Sequence, residues 1–411
     1  MRKWYVALLA VTLMTALHVV WAADAPAPKM TPEEIRAKCA EIDVKCSLIM
    51  SNVQELQALK ASLLAQLGEG APPPTAAAKP WNEKVAISGY FQNRFEHFAG
   101  TSYSLTAPGH NGPKLEDQFT LRRMYVNLLV HASDNATAVI TWSRDGGATL
   151  TANWANAYLD YKLSPTETVR FGQASTWFGL DEQQSSSQRL PFERAAFQDG
   201  GGRDKPPGLF FGGPYDKGMW WVHNPTAKNY ASQPQVILGV VNGAFREAVT
   251  AGDNSRTYSA DVRFHPSWGT FGVSWLNGDF SQSATAPTYS TVPTGPFARH
   301  AFGGFVRYEK PKSWALQSEI GGGVNMGHTF SGWYAQAEKM MVKCPGTFFT
   351  RYEEYEPNTD NATNVSDMYK AWLVGYAHNL DANNKVTAQW TLGRRGGMDE
   401  DEAGLQWQYG F

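Results

Sequence analysis

Cysteine is scarce in this chain: Cys39, Cys46 and Cys344 are the three in 411 residues. An odd number cannot all pair within one exported chain. No CxxCH and no clustered Cys/His spacing occurs, so covalent haem and a zinc centre have no support. Net charge is also nearly absent, −2 from 36 basic and 38 acidic residues. That balance removes the basic surface on which nucleic acid would be held. Beyond the N-terminus no run of ~18 apolar residues recurs, so no membrane helix follows. No motif sets a histidine beside a serine, as a nucleophilic enzyme requires, and no cofactor is called for. What is plentiful is glycine (38) and aromatic residues, 15 Trp, 17 Tyr and 21 Phe. With a negative mean hydropathy, that composition fits a transmembrane β-barrel with a polar lumen, and equally a secreted β-sandwich.

The first residues read as a targeting segment. Arg2 and Lys3 precede the apolar "WYVALLAVTLMTALHVV", and "VWAADAPAP" offers cleavage after Ala22 or Ala23. Residues 1–22 are therefore expected to be a signal peptide, the alternative being a retained helix. A helix is expected over residues 31–67: Thr31 and Glu34 form a capping box around Pro32. Ile35, Ile42, Ile49, Leu56 and Leu63 recur every seven residues, interleaved with Cys39, Cys46, Val53, Lys60 and Leu67. This seam of about five heptads predicts a coiled coil, and its isoleucines lean toward three strands. A single amphipathic helix lying on its own barrel is the alternative. Residues 68–82, "GEGAPPPTAAAKPWN", form a Pro/Ala-rich linker.

From about residue 83 to Phe411 the period changes to two. "NAYLDY" opposes Ala157, Leu159 and Tyr161 to Asn156, Tyr158 and Asp160; "SADVRF" opposes Ala260, Val262 and Phe264 to Asp261 and Arg263. Runs of about ten residues suit tilted strands that cross a bilayer. Short turns ("SDNA", "LSPTE", "HPSWG", "EKPKS", "KCPGT", "LDANN") alternate with long polar connections. The fold class read from this is all-β: a transmembrane antiparallel β-barrel of about sixteen strands, preceded by the short α-helical coiled coil. In the terminal "AGLQWQYGF", Leu405, Trp407, Tyr409 and Phe411 share one face, and Gln406 and Gln408 the other. This is expected to be the last strand, lipid on one side, closing on the strand that begins near Val85. A terminal phenylalanine on such a strand resembles the signal read by the barrel assembly machinery, a partner expected through Phe411.

One connection, residues 175–217, is out of scale at roughly forty residues. Its Trp177, Phe178, Leu190, Phe192, Phe197, Phe210 and Phe211 are too apolar for water, so it is expected to fold inward and narrow the barrel. An external cap is the alternative. On the strands, Arg94, Arg123, Arg170, Arg263, Arg307, Arg351 and Arg395 fall on lumen faces, as do Glu96, Asp160, Asp261, Glu319, Glu338 and Glu353. Within the loop, Arg189, Arg194, Arg203 and Lys205 are balanced by Glu193 and neighbouring acids. Mixed charge lining a lumen can impose a transverse field without selecting one ion.

The stretch "AYLDYKLSPTETVRFGQASTWFGLDEQQSSSQRLPFERA", with "LRRMYVNLLV" before it and "VVNG" after it, resembles the signature of the phosphate-selective porin O and P family. The resemblance implies a homotrimeric, sixteen-stranded outer-membrane porin with an inward third loop, and related porins carry a periplasmic N-terminal coiled coil. From their lumen faces, Arg94, Arg123, Asp160, Arg170, Arg263, Arg307, Arg351 and Arg395 are the expected pore-lining residues, and Arg189, Glu193, Arg194, Arg203 and Lys205 in the loop the expected constriction. Trp177 departs from the proline usual in the family. The expected function is a water-filled channel for small hydrophilic solutes, anionic ones included, in contact with outer-membrane lipid. The competing expectation is a structural tether that reaches the cell wall through the coiled coil. An outer-membrane enzyme and a soluble carbohydrate-binding β-protein complete the alternatives.

Overall fold

The computed structural model describes residues 84–100, 118–145, 153–199, 208–210, 215–243, 256–281, 296–325, 327–341, 345–360, 368–395 and 398–411. The expected signal peptide, coiled coil and linker lie outside the described residues, as do Arg203 and Lys205.

Period-two alternation becomes sixteen antiparallel strands. The first eight are β1 (Val85–Gly100), β2 (Gln118–His131), β3 (Ala136–Asp145), β4 (Asn153–Lys162), β5 (Glu167–Ser175), β6 (Tyr215–His223), β7 (Gln235–Val241) and β8 (Thr257–Phe264). The second eight are β9 (Gly269–Ser281), β10 (Pro296–Lys310), β11 (Trp314–Asn325), β12 (His328–Met341), β13 (Gly346–Glu356), β14 (Tyr369–Asn379), β15 (Asn384–Arg395) and β16 (Met398–Gly410). A single helical turn, α1 (Ala196–Asp199), lies between β5 and β6. Each strand pairs with its sequence neighbours, and β16 pairs with β1, so the sheet closes on itself. Closure removes the open edge that neither lipid nor a neighbouring chain would leave unpaired.

The closing seam runs Phe91↔Tyr409, Asn93↔Trp407 and Phe95↔Leu405 on the outside, with Gln92↔Gln408 and Arg94↔Gln406 on the inside. It ends on a reciprocal pair: Gly89 N–H donates to the Phe411 carbonyl at 2.9 Å, and Phe411 N–H to the Gly89 carbonyl at 3.0 Å. The expected faces of the last strand therefore hold, with Leu405, Trp407, Tyr409 and Phe411 exposed on the outer wall.

At one end of the barrel the joins are short, the exception being residues 224–234 between β6 and β7. At the other end the long connections include 101–117, 176–214, 242–256 and 282–295. The expected alternation is not strict: 326–327 and 396–397 are as tight as any turn at the opposite end. The long connection is also slightly shorter than read from sequence, since β5 runs through Ser175 and β6 starts at Tyr215.

Two irregularities shape the inner wall. Between β1 and β2 the register shifts at Gln92/Asn93, which face Arg123 and Leu121 and leave Arg122 as an extra residue. Between β3 and β4 it shifts at Thr141/Trp142, leaving Ala155 extra. The apolar core sits inside the barrel, where Phe178, Ala195, Ala196, Phe197, Leu209 and Phe210 of the long connection pack on Leu276, Ala301, Phe330, Tyr334, Tyr355 and Tyr369 of the wall. Burying a phenylalanine in this way contributes ~1.5–3 kcal/mol. Glycine on the wall makes the space: a Cβ at Gly321 would come within 2.9 Å of Phe197, and one at Gly332 closer still to the same ring.

Candidate functional site: the inner wall and the inward loop

The loop 176–199 crosses the lumen and is held at three places. It first meets the β8–β11 wall. Gly179 N–H donates to Ser274 Oγ at 2.8 Å, and Leu180 and Asp181 N–H donate to the Glu319 carboxylate at 3.3 and 3.2 Å. Arg263 Nη2 donates to the Gly179 carbonyl at 2.7 Å, its guanidinium lying 5.0 Å from the Trp177 ring centre.

Next the loop reaches β15, β16 and β1. Lys385 Nζ donates to the Ser187 carbonyl at 2.7 Å, Gln408 Nε2 to the same oxygen at 3.1 Å, and Gln92 Nε2 to the Ser186 carbonyl at 3.0 Å. Phe192 N–H donates to Gln389 Oε1 at 2.9 Å, and the Phe192 ring lies 4.4 Å beneath the Arg94 guanidinium. The chain then turns to β13, where Ala196 N–H donates to Glu353 Oε2 at 3.3 Å.

Two carboxylates organise these attachments. Glu193 receives Arg94 at 2.8 Å, Arg122 through both oxygens at 2.9 and 3.0 Å, and Arg123 through a very short contact. Burial would raise its pKa, but the guanidiniums of Arg122, Arg123 and Arg94 outweigh burial and hold the carboxyl well below the ordinary glutamate value. Asp181 is fully buried. It accepts from Ala195 N–H at 2.7 Å and Arg351 Nη1 at 3.2 Å, with Arg189 Nε 4.0 Å away. Here too burial pushes upward, and Arg351 and Arg189 overcome it and leave the carboxyl depressed. Arg189 itself is pushed down to about 10, by burial first and by the neighbouring Arg194 second, against the pull of Asp181.

The strand arginines expected to face the lumen do so, but as halves of ion pairs. Arg94 also meets Glu96 at 2.9 Å; Arg170 meets Asp160 at 2.7 and 2.9 Å; Arg263 meets Asp261; Arg307 meets Glu309, and Glu338 at 2.8 Å; Arg351 also meets Glu353 at 3.9 Å. In the loop Arg194 meets Glu182 at 3.2 Å. Arg395 ends β15 opposite Tyr369, and its side chain lies outside what is described.

Sequence reasoning brought together Glu193, Arg94 and Arg123 only as separate members of a lining. It missed Arg122. Strict alternation sends one of two adjacent arginines outward, and only the bulge turns both inward. It also passed over Asp181 as a site residue: an acid in a polar stretch carries no signal that it will be buried against a guanidinium 170 positions away.

Solvent contact inside the barrel is uneven. Tyr125, Asn127, Asn156, Tyr158, Asp160 and Arg170 on β2–β5 are half-buried, whereas inward positions from β8 round to β1 are mostly buried. Arg170 stacks over Tyr158 at 3.8 Å, and Tyr90 over Tyr125 at 5.1 Å.

The barrel has solved counterparts. The anion-selective porin from Comamonas acidovorans is 10% identical with a TM-score of 0.55; the match covers 80% of this chain and 99% of that one. The outer membrane channel DcaP of Acinetobacter baumannii is 12% identical at 0.53, over 80% and 97% of the two chains. OmpT of Vibrio cholerae, in its trimer form, is 11% identical at 0.50, over 80% and 99%. At such identities the likeness is one of fold. No curated protein matches the chain significantly. Residues 111–290 match the model of the family described as phosphate-selective porin O and P, the family that the motifs between Leu121 and Ala195 resemble.

Proposed function

We propose that the chain is a passive outer-membrane channel for small hydrophilic solutes, assembled as a homotrimer, with its permeation path along the β2–β5 wall. One observation carries this reading: the inward loop buries the wall from β8 round to β1 and leaves Tyr125, Asn127, Asn156, Tyr158, Asp160 and Arg170 in contact with solvent. Water, not lipid or protein, is what those polar side chains are suited to face.

Selectivity follows from charge pairing. A phosphate path would need guanidiniums whose charge is not already met, yet Arg94, Arg123, Arg170, Arg263, Arg307 and Arg351 each have a carboxylate within ion-pair distance. Such pairs give a transverse field and weak selectivity. The likeness to the anion-selective porin of Comamonas acidovorans favours anionic solutes, and the acids of this lumen oppose them.

The trimer is supported by the seven-residue seam at 31–67 and by the trimer form of the Vibrio cholerae protein. The outer wall on β2–β4 sets aliphatic Met124, Val126, Leu128, Ala138, Ile140 and Leu159 beside Trp142 and Trp154, and suits subunit contact. Lipid surrounds the remainder, the assembly machinery reads Phe411, and the N-terminal coiled coil lies in the periplasm.

The test is single-channel recording of the purified protein in a planar bilayer, with reversal potentials under a salt gradient and phosphate as blocker. Ohmic, weakly selective steps in threes are expected. Block by low phosphate would replace this reading with a phosphate path. Absence of conductance would leave the cell-wall tether as the function.

A further inference from the structure

The outer wall carries a groove that the fold does not require. It has a volume of about 660 Å³ and runs across β10–β13, with Phe302, Ile320 and Trp333 as its sides. Its floor is Gly304, Gly322 and Ser331, which the pairing Phe302↔Gly322, Gly304↔Ile320 and Gly322↔Ser331 sets side by side on the outward face.

Those two glycines differ from their neighbours. At the inward Gly303, Gly321 and Gly332, the loop rings Phe178 and Phe197 occupy the space of a side chain. At Gly304 the nearest atom to an added Cβ is 3.9 Å away, and at Gly322 it is 3.3 Å away. Neither has the positive φ that favours glycine. A larger residue would fit the wall at Gly304, and at Gly322 once the Phe330 carbonyl gives by a few tenths of an ångström, so packing alone does not explain why both are bare. The groove is apolar and open to the outside, and its volume lies within the ~300–1,000 Å³ typical of ligand pockets.

What surrounds the groove identifies its occupant. Aromatics line this arc in two rows, one stacked and one tilted. Phe264, Phe271, Trp268, Tyr308 and Trp314 form a row on β8–β11 near the short turns, with successive centroids 5.0–6.0 Å apart. Trp333, Tyr352 and Trp372 form the other on β12–β14, at 5.5 and 5.8 Å. Two aromatic belts mark a wall that faces lipid.

Beside the upper row, outward Lys370 is the direct cross-strand partner of Arg394. Neighbouring outward positions stand ~4.5–5.5 Å apart at Cβ, so the two cations can share one anionic group. Both are exposed. Glu354 and Glu356 close the same end of the groove, and Glu354 pairs with Lys370 at 3.1 Å. Carboxylates beside cations at headgroup depth suit a head that carries phosphate together with a positive or hydroxyl group.

We infer that this groove is a specific lipid site: one acyl chain of a phospholipid lies over Gly304 and Gly322, with its phosphate at Lys370 and Arg394. The inference rests on the outer-membrane reading of the barrel, but not on conductance or solute selectivity. A second copy of the chain is the less suitable occupant, because the belts place this arc against lipid.

The experiment is native mass spectrometry of the detergent-purified oligomer titrated with phosphatidylglycerol, compared with a diacylglycerol of the same chains. Wild type is expected to retain one phosphatidylglycerol per protomer. Gly304→Leu with Gly322→Leu fills the floor and is expected to lower retention about tenfold. Lys370→Gln with Arg394→Gln is expected to lower phosphatidylglycerol retention while leaving diacylglycerol unchanged. Heat-modifiable migration and channel conductance, measured on the same samples, report folding and the channel reading separately. Equal retention by wild type and the glycine variant overturns the site, as does dissociation of the oligomer by that variant alone.

Discussion

From β9 to β14 the inward positions include Leu276, Ala301, Gly321, Phe330, Tyr334 and Tyr355, and the loop rings Phe178, Phe197 and Phe210 press into them. From β2 to β5 they include Tyr125, Asn127, Asn156, Tyr158, Asp160 and Arg170, all half-buried, and loop Trp177 packs with Tyr158 on the cluster around Trp220. The alternation that makes a strand is the same on both arcs. What differs is where the loop docks: on one side its rings and backbone sit among apolar Leu276, Ala301 and Phe330 and buried Glu319, Arg351 and Glu353, and on the other the polar side chains stay half-buried. One barrel thus holds a packed core and a wetted channel wall. The apolar residues of a single connection decide which arc becomes which.

Breaking the attachment of the loop should erase the difference, and Glu193→Gln should do so most strongly. It leaves Arg94, Arg122 and Arg123 facing a neutral amide. Removing one partner of a largely buried ion pair costs about 3–5 kcal/mol. Single-channel recording is expected to show larger, noisier conductance and a reversal potential shifted toward anions; unchanged conductance would mean that the loop is held by its rings alone.

Acid titration tests the same lock more gently. The carboxyls of Asp181 and Glu193 are depressed in the folded protein. Their contribution is therefore complete above the unfolded carboxylate range and is lost as pH falls through the depressed folded values. Conductance is expected to hold steady from pH 7 down to about 4.3, the ordinary glutamate value, and to rise only below it. A transition between pH 5 and 7 would contradict this.

The smallest effect is expected on the open wall. Asp160→Asn releases Arg170, which keeps its place over Tyr158. A partly exposed pair contributes ~1 kcal/mol or less. The reversal potential should move modestly toward anions with little change in conductance, whereas a large conductance change would place the constriction on β4–β5.

Much of the barrel was legible in residue order. Ala260, Val262 and Phe264 against Asp261 and Arg263 is a pattern that only a strand with two different environments satisfies. It therefore predicted the faces correctly without any knowledge of partners. The Glu193 cluster was only half legible. Arg94 and Arg123 follow the period of two, but Arg122 reaches Glu193 through a bulge, a local insertion that no periodicity announces. Asp181 was illegible for a different reason: its burial depends on where a loop lands, not on its neighbours in sequence. The short connections at 326–327 and 396–397 were likewise hidden, because loop length at that end obeys no period.

The sequence by itself determined an antiparallel barrel of about sixteen strands, the inward side of the strands whose alternation is clear and the apolar character of the loop, since all three follow from local pattern and composition. Only the tertiary structure decided which arginine meets which carboxylate, which arc of wall the loop covers, and that Gly304 and Gly322 leave a groove outside while Gly321 and Gly332 admit a ring inside. Those outcomes depend on contacts between residues far apart in the chain. The free energy of such a contact exists only once closure of the barrel has brought its partners within reach.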